Sequence, residues 1–525
     1  MGGSPRWADA VVGPVVLLAL WQFAGTVLPW ARYTLSSPSA IVLRAWHDLP
    51  IYPENVAATL GEAGRGFLWG NLIAIVLALV IVQAPRIEEL LMQVAIVIYA
   101  TPLLAIAPII AVVLPGDEPK VVLAALAVFF PTLIATLLGL RSTGGAPLDL
   151  IHTLGGGAWH ALQKVRVPVS VPWILAGLRI AAPGAVLGAV LGEFLGGDRG
   201  LGIAMVNAMA TLDTPRVWGL AIASSLLAGA GFVITGVAAR MLVTWAPLLD
   251  VTPSIARLGA AAGGLRWTLR RAGLLALAIG VILGLWMGFI AVFHLNPFFA
   301  KGPGAVVRDL SAGPQAPDER TALAQALAAT LTDAAVGFVG GTIVAAAVAL
   351  VFVVHPRVER AFMPVAIVLR SVPVIAMTPL LVLLFGRGLL GTTVITGIIT
   401  FFPTLVNVMQ GLRSASPQAV ELLALYNAAP WTIVWKVRLP SALPSLFASA
   451  RISALGSILG AIVAEWLATG RGLGYLMITA RAQFQFTMLW AAGILVTMVS
   501  VIVYGLISWI ETPVLLRYAP GQVRQ

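Results

Sequence analysis

Few residue types in this chain of 525 could do chemistry, and their spacing removes most enzyme classes. The four lysines are Lys120, Lys164, Lys301 and Lys436. None follows a glycine, so there is no Gly-Lys-[Ser/Thr] phosphate loop, and the chain does not supply a Walker-type ATP site. The five histidines (His47, His152, His160, His294, His355) form no His-Glu-x-x-His zinc pair, and no Gly-x-Ser-x-Gly elbow occurs. Gly200-Leu-Gly202 is a bare Gly-x-Gly with no strand before it. There is no cysteine, which excludes disulfides and thiolate metal sites. No catalytic residue, metal site or cofactor is expected in the chain itself.

The charges that remain lie inside apolar stretches. Arg179 and Arg451 sit one or two turns into hydrophobic runs. Glu193 and Glu465 follow further along the same runs, ~20 Å on at 1.5 Å per helical residue. Charge at membrane depth faces protein or water, which leaves two readings. One makes Glu193 and Glu465 polar points on a substrate path. The other makes them local ion pairs, Glu193 with Arg199 and Glu465 with Arg471. Tyr99, Thr101, Arg370 and Ser371 are either path residues or ordinary interhelical hydrogen bonders. Pro102 and Pro108, like Pro373 and Pro379, are expected to kink their helices.

One polar segment occurs twice. Asp149-Leu-Ile-His-Thr-Leu-Gly155, then Trp159 and Lys164-Val-Arg166-Val-Pro168, returns as Glu421-Leu-Leu-Ala-Leu-Tyr-Asn427, then Trp431 and Lys436-Val-Arg438-Leu-Pro440. A short helix with the acid at its start suits the N-terminal dipole. Gly155 and Asn427 are the types that best tolerate a left-handed backbone, so a sharp turn between two short helices is expected there. Gly155-Gly156-Gly157 should fray a helix, at a cost of about 1 kcal/mol per glycine. Aromatic and apolar residues among charges suit a knob that fills a groove on a soluble partner. They equally suit an interfacial helix with Trp at the headgroups.

The elements that carry these residues must be membrane helices. The chain is 59% hydrophobic and 10% charged, against roughly 25% charged in soluble proteins. Apolar runs predict an all-α polytopic protein with about twelve transmembrane helices: 10–29, 66–83, 90–114, 120–140, 173–195 and 216–240, then 273–293, 335–354, 362–385, 389–412, 445–468 and 487–510. The run from Val11 to Leu28 reads as the first helix, not a cleaved leader. The second series copies the first. Phe130-Pro-Thr-Leu133 matches Phe402-Pro-Thr-Leu405, and Gly139-Leu-Arg141 matches Gly411-Leu-Arg413. Glu193-Phe-Leu with Arg199-Gly-Leu-Gly202 matches Glu465-Trp-Leu with Arg471-Gly-Leu-Gly474. Six spans per half make a parallel repeat, with halves at 1–250 and 273–525 and a linker at 251–272. The net charge of +11 reads as basic loops facing the cytoplasm, not as nucleic-acid binding. Arg141, Lys164, Arg166, Arg413, Lys436 and Arg438 all lie on that side if both termini are cytoplasmic.

The pattern of acid, five residues, Gly, aromatic and basic-x-x-x-Pro resembles the "EAA" loop of permease subunits of bacterial ATP-binding-cassette (ABC) importers. The Glu-[Phe/Trp]-Leu…Arg-Gly-Leu-Gly stretch resembles the branch that moves sulfonates, taurine, nitrate or pyrimidine precursors. The match extends over nearly all of both halves and departs in detail. Leu150-Ile151 and Leu422-Leu423 stand where the family favours Ala-Ala, and Asn427 replaces the family glycine. The resemblance implies a type I importer membrane domain in the bacterial inner membrane, with both permease halves fused. Each loop would then be a coupling helix in the cleft of an ATPase subunit, carried by Asp149, Gly155, Trp159, Lys164 and Arg166, and by Glu421, Asn427, Trp431, Lys436 and Arg438. Two ATPase subunits would hold ATP and Mg, and an extracytoplasmic binding protein would deliver a small solute of undetermined identity. The alternative is an ion-gradient-driven secondary transporter with two six-helix halves. It needs a mid-membrane coupling group and leaves the repeated loop without a purpose.

Overall fold

The computed structural model describes residues 6–28, 35–243, 265–371 and 374–518. They form helices and no strand. In the first half these are α1 (Arg6–Val27), α2 (Pro38–His47), α3 (Tyr52–Gln83), α4 (Pro85–Ala100), α5 (Leu103–Val113), α6 (Glu118–Arg141), α7 (Gly145–Thr153), α8 (Ala158–Phe194), α9 (Leu201–Ala210) and α10 (Thr214–Leu242). The second half repeats the series. It runs through α11 (Leu265–Val292), α12 (Pro303–Ala312), α13 (Ala316–Val354), α14 (Pro356–Ser371), α15 (Val374–Phe385), α16 (Leu389–Arg413), α17 (Pro417–Leu425), α18 (Pro430–Leu467), α19 (Gly472–Ala482) and α20 (Phe486–Tyr518).

Each of the twelve expected spans falls on one of these helices or on a pair of them. Among the described residues, eight helices are long and apolar enough to cross a membrane: α3, α6, α8, α10, α13, α16, α18 and α20. The expected third span is broken. Glu88–Ala100 and Leu103–Val113 meet at 88°, and if they form one span the count is nine. The break falls at Thr101-Pro102, where Pro102 has no N–H to donate and disfavours a helical residue before it. Pro108 lies inside α5 without ending it. Val372 and Pro373, between α14 and α15, lie outside the described residues, as does most of the expected linker. The apolar parts of α1 and α11, Val15–Val27 and Ala276–Val292, are shorter.

Small residues set the packing. Gly66 and Gly70 of α3 leave no space for a Cβ against Ala124, Ala125 and Val128 of α6, and Gly337 and Gly341 of α13 do the same against Thr396, Gly397 and Thr400 of α16. Small-xxx-small pairs let helix backbones approach closely in lipid. The central α6 has 67% of its apolar window buried, whereas α10 and α13 have 28% and form the periphery.

The halves interlock through their first helices. α1 packs on α14 of the second half, and α11 packs on α4 of the first. Each also stays tied to its own half by a tryptophan pair at equivalent positions: Trp21 with Trp218 (centroids 5.2 Å apart) and Trp286 with Trp490 (4.8 Å, stacked). The bent α4–α5 unit packs against α20, and α10 packs against α14 and α15.

Candidate docking helices and buried carboxylates

The repeated segment forms the same object twice. α7 and α17 are each nine residues long and contain no buried residue. Both end in a left-handed residue at the expected place, Gly155 (φ +80°) and Asn427 (φ +54°). The closing bonds correspond. Gly155 N donates to His152 O (3.0 Å) and Gly156 N to Ile151 O (2.8 Å); Asn427 N donates to Ala424 O (2.9 Å) and Ala428 N to Leu423 O (3.0 Å). This pattern satisfies the free carbonyls at a helix end.

Two local expectations need correcting. Asp149 and Glu421 do not begin their helices. α17 starts earlier because Ser416 caps Ala419 N (3.4 Å) and Pro417 takes the first position, and α7 starts at Gly145 behind Gly144. Both acids are exposed in mid-helix. The glycine run does not fray a helix either. Gly155 and Gly156 make the turn, and Gly157 precedes α8 as its N-cap residue.

Large apolar side chains stand free on these helices, at their turns and on the start of the helix that follows each. Leu150, Leu154 and Trp159 (60% exposed) do so in the first copy; Leu422, Leu425 (85%), Tyr426, Trp431 (49%) and Trp435 do so in the second. Lys164 and Lys436 are exposed, while Arg166 and Arg438 are half-buried. These basic residues lie in π-helical turns at matching positions, Leu162–Arg166 and Val434–Arg438. Neither turn was legible as such, although π-turns inside helices cluster at functional places. Nearby, Arg141 pairs with Glu88, and Arg413 with Glu359 at 2.5 Å.

At the opposite face, the local ion pairs expected for Glu193 and Glu465 are not formed. Arg199 pairs with Glu54 (3.0 Å) and Arg471 with Asp333 (3.0 Å). Glu193 instead accepts from Thr59 Oγ1 (2.6 Å) and Gly202 N (2.5 Å), and Thr59 accepts from Leu201 N (2.9 Å). Glu465 accepts from Gly474 N (2.7 Å), and Thr330 accepts from Leu473 N (2.9 Å). The Arg-Gly-Leu-Gly motif is thus a loop folded over a carboxylate. Both carboxylates are fully buried under it and face no open path in this structure. Next to each lies a second acid missed from the sequence, Glu62 beside Glu193 and Asp333 beside Glu465. Lys120 Nζ donates to Glu62 and Asp117 (2.8 Å each) in the first half. In the second half Arg471 holds Asp333, and Thr392 stands at the position of Lys120.

Of the other path candidates, Tyr99 stacks on Phe130 (4.0 Å). Thr101 donates to Val97 O (2.8 Å) at the α4–α5 break. The side chains of Arg370 and Ser371 lie outside the described ones.

Comparison with known proteins bears on what such a chain is. The family described as "Binding-protein-dependent transport system inner membrane component" matches twice, over residues 70–300 and 337–514. A probable ABC transporter permease protein of Haemophilus influenzae is 34% identical over 199 residues, 38% of this chain and 81% of that protein. The riboflavin transport system permease protein RibX of Chloroflexus aurantiacus is 31% identical, covering 44% of this chain and 87% of its own length. The putative aliphatic sulfonates transport permease protein SsuC of Bacillus subtilis is 28% identical, covering 46% and 86%. Each relative therefore corresponds to about half of this chain.

Proposed function

We propose that this chain, which belongs to the family of binding-protein-dependent transport system inner membrane components, is the entire membrane pore of an ATP-driven importer. The observation that carries the reading is the duplicated helix-turn unit. Two nine-residue helices with no buried residue expose leucines, and across the turn the first residues of α8 and α18 expose Trp159 and Trp431. Exposed apolar surface of this kind calls for a partner, and a two-fold repeat fits a two-fold partner.

On this reading α7 and α17 are coupling helices, each seated in one of two ATP-binding-cassette subunits. Trp159 and Trp431 are the apolar anchors. Gly155 and Asn427 set the turn. Asp149, Glu421, Lys164, Arg166, Lys436 and Arg438 supply the polar rim. ATP and Mg sit on those subunits. Their closure pushes the coupling helices, and the halves (residues 1–250 and 273–525, joined by 251–272) rock to alternate access. The motif face and both termini are cytoplasmic in the bacterial inner membrane, consistent with the basic residues of that face. A binding protein delivers a small solute from the other side.

Reconstitution of the chain with its ATPase in liposomes tests this. The chain should raise ATP hydrolysis above that of the ATPase alone, and a binding protein loaded with solute should raise it further. Hydrolysis indifferent to the chain would contradict the reading.

A further inference from the structure

One short helix between the spans keeps an apolar face open. α2 turns Val42, Leu43 and Trp46 outward, and Trp46 is 72% exposed. Its other face is fixed. Ile41 is buried, and Arg44 pairs with Asp213 at the head of α10 (2.6 Å) and with Asp48 (3.3 Å). The open face therefore cannot roll inward without breaking an ion pair and lifting Ile41 out of the core. An apolar patch held outward in this way marks an interaction surface.

The height of α2 says what meets this face. The chain folds back after α1, so α2 starts beside α1 and not beyond its end. Gln22 Nε2 donates to Ser39 Oγ (2.9 Å), Ser39 N donates to Gln22 Oε1 (3.1 Å), and Trp21 Nε1 donates to Leu35 O (3.0 Å). Gly25 permits the approach, since a Cβ there would be 2.7 Å from Ser37 N. Gln22 precedes Val27, the last residue of α1, by about 7.5 Å of helix at 1.5 Å per residue. Phe23 and Val27 of α1 are exposed at the same height. The other end of α2 reaches the charged head of α10 through Asp213. α2 thus lies between an apolar span and a charged helix end, the level at which tryptophan marks a membrane boundary.

The second half keeps the scaffold and drops the face. α12 is the counterpart: Val306 is buried as Ile41 is, and Asp309, at the place of Arg44, accepts from Thr487 of α20 (2.9 Å). Val307 matches Val42, but Arg308 and Ser311 stand exposed where the first half has Leu43 and Trp46. The fold needs no apolar residue at those two positions, so Leu43 and Trp46 serve a contact outside the chain. We infer that α2 is a lipid-anchoring helix, with Val42, Leu43 and Trp46 among the acyl chains of the leaflet opposite α7 and α17, and that α12 turns the matching face to headgroups and water. An amphipathic helix binds an interface in proportion to the apolar area it buries. Because Arg44 ties α2 to α10, the anchor holds that end of the first half to the lipid and leaves the second half without an equivalent. The inference needs only that the chain spans a bilayer; it stands apart from the transport reading.

The chain has no cysteine, so one introduced thiol takes one nitroxide spin label. The test places the label at Trp46→Cys and at Ser311→Cys in the full chain, in nanodiscs of phosphatidylcholine. Leu226→Cys, exposed in the middle of α10, gives the signal of a site among acyl chains. Power saturation then compares relaxation by oxygen, which concentrates in lipid, with relaxation by a water-soluble nickel chelate. At 46, as at 226, oxygen should relax the label more than nickel does; at 311 nickel should dominate. Both 46 and 311 are exposed, so neither label disturbs the core, and Val42→Cys on the same face of α2 must repeat the result at 46. Nickel dominating at 46 and 42 would put the face in water and overturn the inference. Weak relaxation by both reagents there would overturn it too, since the face would then be covered by protein, such as a second copy of the chain. Oxygen dominating at 311 would overturn the inequality of the halves.

Discussion

Glu193 and Glu465 show how far single residues could be read from the sequence. Their repetition marked them, and so did the Arg-Gly-Leu-Gly that follows. The nearest cations in sequence suggested ion pairs, but backbone N–H groups of Gly202 and Gly474 hold the carboxylates while Arg199 and Arg471 reach acids on other helices. Those acids, Glu54 and Asp333, are distant in sequence, so no local spacing could reveal them. The glycine that meets each buried carboxylate is specific to its place. Gly472 has φ +91° and the Glu465 carboxylate fills its Cβ position, whereas Gly470 has φ +68° and open space. Gly470→Ala should cost about 1–2 kcal/mol for the backbone alone. Gly472→Ala should cost at least about 1 kcal/mol more, because it also dislodges a buried acceptor; thermal unfolding of the two variants checks the order. At the same face the Arg216 hydrogen bonds to Asp48 (2.7 and 2.8 Å) hold the Asp48 carboxyl below the usual carboxylate range. The folded state thus favours its ionised form. The stability this adds is complete above the unfolded pKa of about 3.9 and is lost as pH falls through the lower folded value. Unfolding followed from neutral pH downward should show a steeper acid loss in wild type than in Asp48→Asn.

The elements were more legible than their contacts. Apolar length fixed the spans, and the pair Gly155 and Asn427 fixed the turn, because few residues accept a left-handed backbone. The 88° break at Thr101-Pro102 was legible as a kink but not in size, which depends on what α5 packs against. The helix starts at Gly145 and Pro417 were missed by four residues, since the acid drew attention from the Ser416 cap and from Pro417. The turn can be tested directly. Asn427→Gly should be neutral or slightly stabilising, while Gly155→Val should cost about 1–2 kcal/mol, read from the unfolding midpoint. The exposed anchors should behave oppositely to core residues. Trp159→Ala with Trp431→Ala should move stability by no more than about 0.5 kcal/mol per site.

At the scale of the whole molecule the repeat announced two halves, but not that each first helix crosses to the other. Hydrophobicity says that a helix lies in lipid, not which neighbour it chooses. Because α1 rests on α14, α11 on α4 and α5 against α20, association does not depend on the chain between them. Cutting at a protease site placed within 244–264 should leave two fragments that co-elute in size-exclusion chromatography; separation would contradict the interlock. The central claim is that this interlocked pair is driven through α7 and α17. The most direct measurement is co-purification of the detergent-solubilised chain with a co-expressed ATP-binding-cassette subunit, comparing wild type with the Trp159→Ala, Trp431→Ala double variant. The account predicts capture by the wild type and its loss in the double variant, with the unfolding midpoint unchanged. Capture that survives both substitutions, or a wild type that never captures the subunit, would contradict it.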